Sequence, residues 1–378
     1  MLAQIRPIIK KEFRQIARDG RTLGMLLFLP GFLLIMYGYA LNFDVKHLAL
    51  AVVDQERSEA SRDFRRMFAH TEYFDLKFDL ESSQDIDRLM AVDKIQLGVV
   101  IPYDFSKSLL AGEETSVQVI VDGEETTIAG TAVGYVNALA QNFSAGIVME
   151  SLLKRGQEGG LMPFDIRPRV WYNPELLSAR FLVPGLMAFI LMIIVVISTS
   201  FSVVREKERG SLEQIIVSPV RPAALIIGKT VPYAAVSLIS SHLVLLFGYL
   251  LFHVAIKGNY LLLLLGVFLF LICGLGFGLL ISTIAHSQQV AFIISIVATL
   301  LPTFILSGFI FPIRNMPGVI QAVTYLIPAR YFLVVLRGVM LKGVGIEAFW
   351  MQLVLLLIFA AVTVTISSVR LGKVLQKG

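Results

Sequence analysis

The most specific polar signal in this chain is the run Arg205-Glu206-Lys207-Glu208-Arg209-Gly210-Ser211-Leu212-Glu213-Gln214-Ile215-Ile216-Val217-Ser218-Pro219. Its mixed charges suit recognition of a protein surface. A short amphipathic helix ended by Pro219 and leaving the membrane surface presents a knob for a socket on another protein; the plain alternative is an ordinary charged loop. Other groups resemble catalytic sets only at first sight. Asp122, Glu124 and Glu125 offer paired carboxylates, but Val-Asp-Gly-Glu between a strand and a helix reads first as a turn and a helix start. Gly228-Lys229-Thr230 looks like the end of a phosphate loop, yet Ala223 stands where that loop needs its first glycine, and the segment leads into an apolar run. The five histidines, His47, His70, His242, His253 and His286, lack zinc-site spacing. Cys273, the single cysteine, cannot form a disulfide within the chain and reads as a small packed hydrophobe.

The elements around these residues are set by the bilayer. A chain that is 56% hydrophobic and 16% charged cannot be wrapped as a soluble globule. A helix needs about 20 apolar residues to cross the hydrocarbon core. Uncharged runs of that kind occur at Thr22–Phe43, Phe181–Val204, Thr230–Ile256 and Ala348–Val369. The longer stretch between Lys257 and Arg314 crosses twice if Ser282–Gln289 is a turn, placing spans near Asn259–Ile281 and Val290–Phe311. The expected fold is a polytopic α-helical membrane protein of six transmembrane helices. None of the six runs contains Asp, Glu, Lys or Arg, so side chains for proton or sodium coupling are missing and the driving energy must come from elsewhere. Gly274 and Gly278, at GxxxG spacing, suit close helix packing.

Charge assigns the sides. Residues 42–180 carry 14 basic against 22 acidic residues, and the remainder 19 against 6. The basic segments 1–21, 205–229 and 370–377 share one side after an even number of crossings, which the positive-inside rule makes the cytoplasm, with both termini there. Residues 44–178 then form an extracytoplasmic domain between helices 1 and 2. Strand patterning at Leu48–Val53, Tyr73–Leu80, Gln96–Ile101, Val117–Val121 and Ile166–Trp171, with helical patterning at Ser58–His70, Ser83–Lys94 and Thr126–Lys154, predicts a mixed α/β domain. Residues 1–21 read as an interfacial helix, with Ile5, Ile8, Ile9, Phe13, Ile16 and Ala17 on one face and Lys10, Lys11, Arg14 and Arg18 on the other. Residues 22–43 are helix 1, and 179–378 hold helices 2–6. Segment 312–342 carries Arg314, Arg330, Arg337 and Lys342 without an acid. A seventh span there would expose arginines to lipid at ~2.5–3.5 kcal/mol each, so the segment reads as interfacial or re-entrant helices on the outer face.

Val204–Pro219, followed by Gly228-Lys229, resembles the signature of type-2 ATP-binding-cassette (ABC-2) exporter permeases, commonly E-x-E-x-G-[ST]-L-E-Q-L-x-x-[ST]-P. Glu206, Glu208, Gly210, Ser211, Leu212, Glu213, Gln214, Ser218 and Pro219 match it. Ile101–Ser106, Leu306-Ser307-Gly308, Asn315-Met316-Pro317 and Pro328-Ala329-Arg330-Tyr331 resemble the multidrug-type branch, as does the large outer domain.

The resemblance implies two such permeases, identical or paralogous, docked on two cytoplasmic ATPases that hold the ATP and magnesium; this chain would itself carry no cofactor. Segment 205–219 would supply the coupling helix, with Glu206, Arg209, Gly210, Leu212, Glu213 and Pro219 at or shaping the contact and Lys11 and Phe13 supporting it. ATPase states that bind this helix in two spacings would bias two permease conformations. Substrate would pass between spans two and five, with Gly185, Met192, Thr303 and Ser307 as lining candidates. The expected cargo is hydrophobic or amphipathic and drug-like, the home a bacterial inner membrane, and further partners are membrane lipids and a periplasmic adaptor on the outer domain, with no nucleic acid. Two rivals are a glycan or lipid exporter of the same superfamily, disfavoured by the large outer domain, and a membrane-anchored scaffold, which would not need the cytoplasmic knob.

Overall fold

A computed structural model describes residues 2–40, 46–111, 113–154, 171–173, 177–210 and 222–377. The chain divides into two compact units, one of residues 43–169 and one of residues 1–42 with 170–378.

In the first unit, β1 (Leu48–Asp54), β2 (Phe74–Leu80), β3 (Leu97–Ile101) and β4 (Gln118–Val121) form one sheet in the order β2-β1-β3-β4. β1 is parallel to β2 and β3, and β4 closes the edge antiparallel to β3. A parallel centre needs cover on both faces, which is why β1 is apolar at every position before Asp54. Leu48, Leu50 and Val52 meet Phe64, Phe68, Phe105, Ala132 and Val136 on one face, while Ala49, Ala51 and Val53 meet Ile86 and Ile95 on the other. Apart from Ile95, just before β3, the covering residues come from α4 (Glu59–Ala69), α5 (Ser83–Met90), α6 (Phe105–Ala111) and α7 (Thr126–Lys154). Ser58 and Ser82 cap α4 and α5 by accepting from Ser61 N and Gln84 N, as helix-start residues do. Four expected strands lie within a residue of the observed ones; the fifth, Ile166–Trp171, lies almost wholly outside the described residues. Helix α6 was not expected, because its seven residues are too few to show a period.

Glu56 anchors α6. Its carboxylate accepts from Ser106 N at 2.9 Å, Ser106 Oγ at 2.5 Å and Ser58 Oγ at 2.7 Å. Burial pushes this carboxyl up, but the hydrogen bonds from Ser106, Ser58 and the Lys107 amide outweigh it and hold it below its ordinary value. A lowered folded value means that the stabilisation is whole above the ordinary carboxylate range and fades as pH falls through the folded value. Amide protection of residues 105–111 in the full chain should therefore drop on acidification below the ordinary carboxylate range, and Glu56→Gln should remove most of that drop, at a cost of ~1 kcal/mol at neutral pH.

In the second unit, α1 (Leu2–Arg18) precedes α2 (Gly20–Leu23), a π-turn Gly24–Phe28 and α3 (Leu29–Ala40). Then come α8 (Ser178–Glu208), α9 (Pro222–Phe252), α10 (Tyr260–Ile284) and α11 (Gln288–Leu301), which continues as a π-turn to Leu306. After α12 (Gly318–Thr324) and α13 (Pro328–Arg337), α14 (Trp350–Lys377) ends the chain. Five helices among the described residues are long and apolar enough to cross a membrane, and Gly24–Ala40 is a shorter apolar helix. The helices at 318–324 and 328–342 meet at 80°, so they are not one straight span.

α8 is the central helix. Every residue from Leu182 to Ser200 is buried, so this run has no lipid-facing side. Glycines let α10 approach it: a Cβ on Gly274 would touch Val195 and Met192, and one on Gly278 would meet Thr199 and the Val196 carbonyl. The GxxxG pair thus acts through small side chains at a helix crossing. On the opposite side, Cys273 Sγ donates to Leu356 O at 3.4 Å and Ser367 Oγ to Gly276 O at 2.7 Å, both on or from α14.

The helix expected as the fifth span is shorter than expected. It stops at Leu306 rather than Phe311 because Gly308 adopts a left-handed φ of 81° and turns the chain. Arg337 secures that turn: its guanidinium donates to Gly308 O at 3.1 Å and Phe309 O at 3.2 Å and lies 4.2 Å from the Phe181 ring centroid. An arginine that strains a simple topology is thereby held by two carbonyls and a ring face.

Candidate functional site

One turn of helix, Arg205-Glu206-Lys207-Glu208, ends α8 and reaches every other element gathered there. Arg205 Nη1 donates to Asp19 Oδ2 at 2.7 Å, and Arg205 Nη2 to Thr22 Oγ1 at 3.2 Å, where the first apolar helix begins. Glu206 lies between two lysines, 2.5 Å from Lys11 Nζ of α1 and 2.8 Å from Lys229 Nζ of α9. Lys207 Nζ donates to Ser282 O at 2.8 Å and Ala285 O at 3.3 Å, placing a cation at the C-terminal carbonyls of α10. Glu208 accepts from Gln288 N at 2.7 Å and from the Gln288 side-chain amide, placing an anion at the first turn of α11. Residues spaced around one helical turn point in four directions, so consecutive charges reach four different neighbours.

Lys229 is the buried centre. It is 2% exposed, Glu12 is 1% and Glu206 4%. Its ammonium also lies 2.9 Å from Glu12 Oε1 and 3.3 Å from Ser202 O. With Lys11 at the solvent edge, two ammonium groups face two carboxylates and the cluster is neutral. Removing such charges from water costs several kcal/mol per ion before pairing offsets it, so the cluster is better suited to fixing register between α1, α8 and α9 than to adding stability. Gly228 makes the contact possible, because a Cβ there would collide with Ile8 of α1. The Gly228-Lys229-Thr230 triplet is thus a crossing point, a buried cation and a Thr230 hydroxyl bonded to Ile226 O at 2.7 Å.

Asp19 joins the same network. A hydrogen bond from the Thr22 hydroxyl, opposed by burial and reinforced by Arg205, brings its carboxyl down to about 2. It stays ionised at any physiological pH.

Several expectations need correction. Glu206 does not begin a separate coupling helix at 205–219. α8 runs unbroken to Glu208, Arg209 caps it, and Gly210 turns the chain out at φ 67° with its amide bonded to Lys207 O. Glu206 is therefore an internal strut. Arg209 is exposed, and Leu212, Glu213 and Pro219 lie outside the described residues. Lys11 meets Glu206 directly, but Phe13 is 39% exposed. Of the expected apolar face of α1, Ile5, Ile8, Ile9 and Ile16 are buried or half-buried, but Phe13 and Ala17 are exposed and Glu12 is buried instead. Glu12 was missed because an acid on an apolar face reads as an interruption. Its signal was its position four residues from both Ile8 and Ile16.

The lining candidates Gly185, Met192, Thr303 and Ser307 all occupy buried positions in the helix packing. Gly185 accommodates the Phe309 ring, and the Ser307 hydroxyl donates to Thr303 O. Met192 lies where Gly274 of α10 approaches α8. The exposed face of α11 is Val290, Ile293, Val297 and Leu301, one helical side apart from Ser295 and Thr299.

Residues 22–369 match the family model described as ABC-2 family transporter protein. The chain is 35% identical over 344 residues to a probable multidrug ABC transporter permease, YbhS of Escherichia coli, covering 90% of this chain and 89% of that protein. It is 32% identical to a second one, YbhR, over 96% of each. It is also 25% identical to ABC transporter G family member 20 of Dictyostelium discoideum, over 89% of this chain and 46% of that longer protein. With five long apolar helices and a family match over nearly its whole length, the chain belongs to the ABC-2 transporter family and is a membrane permease.

Proposed function

We propose that this permease exports hydrophobic or amphipathic, drug-like molecules across a bacterial inner membrane, driven by a separate ATP-binding-cassette ATPase and paired with a second permease. Six crossings, with the Gly24–Ala40 segment as the first and both termini cytoplasmic, fit this role, as does an extracytoplasmic domain between the first two. The names of the E. coli relatives support the cargo class.

The observation that carries the reading is the charged turn 205–208. The segment 209–221 leaves α8 at Arg209 and re-enters at α9, and both flanks are bonded to α1 through Glu206, Lys229, Lys11 and Glu12. An ATPase that moves this segment moves α1, α8 and α9 together, and through Lys207 and Glu208 it also reaches the α10–α11 turn. Differential binding of the segment in two ATPase states then shifts the permease between two conformations.

Reconstituted with its ATPase, the wild-type chain should show hydrolysis stimulated by amphipathic drugs. Leu212→Asp, in the segment between the flanks, should lose most of that stimulation while keeping expression and monodispersity. Unchanged stimulation in that variant, or no ATPase that binds the wild-type chain, would remove the coupling role.

A further inference from the structure

Opposite the charged turn, at the other ends of the spans, the basic residues keep different company. Segments 170–181, 253–260 and 307–350 hold six basic residues, Arg180, Lys257, Arg314, Arg330, Arg337 and Lys342, against the two acids Glu175 and Glu347. Arg330 lies 3.8 Å from the Tyr325 ring centroid, and Arg337 is bound by carbonyls and the Phe181 ring. Glu347 accepts from the Gly345 amide at 3.1 Å. Among the described residues, none of Lys257, Arg314, Arg330, Arg337 and Lys342 takes part in an ion pair, whereas at the charged turn lysines and arginines meet carboxylates.

Two of these cations lie on segments that are bonded to each other. Lys257 N donates to Met340 O at 3.3 Å and Gly258 N to Val339 O at 3.0 Å, pinning the α9–α10 connection to the π-turn Gly338–Lys342. Gly343, left-handed at φ 67°, packs against Lys257. Both ammonium groups then converge on Tyr172: Lys257 Nζ is 3.5 Å from its carbonyl oxygen, and Lys342 Nζ is 5.7 Å from its ring centroid. Trp171, whose ring centroid is 6.3 Å from that of Tyr172, is 64% exposed, and Tyr172 is 45% exposed. Arg180 Nη1 lies 3.5 Å from the neighbouring Asn173 Oδ1. Two exposed ammonium groups held at one residue repel each other unless an anion lies between them. Exposed Trp and Tyr at the ends of apolar helices mark the level of lipid headgroups, where each lysine favours anionic lipid.

We propose that Lys257 and Lys342, with Trp171 and Tyr172, form a binding site for the phosphate of an anionic phospholipid headgroup, at the membrane face opposite the charged turn. The lysines take the phosphate oxygens, and the two rings lie at the depth of the glycerol and the first acyl carbons. The lipid supplies counter-charge to two lysines that take part in no ion pair among the described residues.

Trp171 and Trp350 are the two tryptophans of the chain, so Trp350→Phe leaves Trp171 as the reporter. The full-length Trp350→Phe chain would be placed in nanodiscs of phosphatidylcholine and titrated with phosphatidylglycerol or phosphatidylcholine carrying brominated acyl chains. Brominated phosphatidylglycerol should quench Trp171 at a mole fraction on the order of 10-fold lower than brominated phosphatidylcholine. Adding Lys257→Gln and Lys342→Gln should abolish that preference while leaving quenching by phosphatidylcholine intact, which shows that the variant still inserts. Inorganic phosphate up to millimolar concentration should not relieve the quenching. Equal quenching by both lipids in the parent chain, a preference that survives the double substitution, or displacement by inorganic phosphate would each overturn the proposal.

Discussion

Lys229→Met should be the most damaging single substitution in the molecule, lowering stability by about 3–5 kcal/mol in detergent-solubilised protein. The methionine fills the space, but it leaves Glu12 and Glu206, 1% and 4% exposed, facing each other with only Lys11 to neutralise them. The larger part of the penalty is the uncompensated buried carboxylate, not the lost attraction. Glu12→Gln added to Lys229→Met should therefore recover more than half of the lost stability, because Glu206 keeps its 2.5 Å contact with Lys11 and the second negative charge is gone. The double variant separates folding from coupling. It should regain a cooperative thermal transition, yet couple ATPase binding to transport poorly, since α9 is no longer bonded to α1 and α8. A double variant no more stable than Lys229→Met would show that the cluster is not held by charge balance.

The second large effect is expected at the crossing of α8 and α10. In Gly278→Leu the new Cβ would lie 2.7 Å from the Val196 carbonyl oxygen and 2.7 Å from Thr199 Cβ. A flexible side chain can swing away from an intruding methyl group, but a helix backbone cannot. The two helices must separate, opening contacts along Gly274, Val195 and Met192 as well. The loss should reach the upper end of the about 1–3 kcal/mol typical of overpacking, seen as a lowered thermal midpoint and poor yield of monodisperse protein. Gly134→Ala in α7 provides the contrast: an added Cβ there meets nothing within 4 Å, and the helix gains propensity of about 0.5–1 kcal/mol. If Gly278→Leu is as well tolerated as Gly134→Ala, the close crossing does not exist in the bilayer.

Both predictions concern residues that the linear chain presents misleadingly. Lys229 sits beside a glycine and a threonine and imitates a phosphate loop, although its partner Glu12 is 217 residues away. Glu206 belongs to a motif whose composition reads as an exposed knob, while the residues before Arg209 are the last turn of a buried span. Local sequence carries helix propensity and amphipathic period, but it does not say which charged side chains will find each other after the helices pack.

What the sequence by itself determined is the part of the protein dictated by solvent and by repeating geometry. Apolar runs of about twenty residues bring helices into lipid, and five of the six expected runs are helices long enough to cross. Alternating and four-residue periods placed β1 to β4, α4 and α7 nearly to the residue, and the start of α5, which ends at Met90 before the expected Lys94, because each element must bury one set of side chains whatever its neighbours are. The signature around Glu206–Pro219 was enough for the family. Only the tertiary structure decided the four-way wiring of Arg205 to Glu208, the burial of Lys229 with Glu12, the carbonyl capping by Arg337 that ends the helix expected as the fifth span at Leu306, and the convergence of Lys257 and Lys342 on Tyr172. Each depends on distances between segments tens to hundreds of residues apart, and the energy of a charge is set by what surrounds it in space, not by what precedes it in the chain.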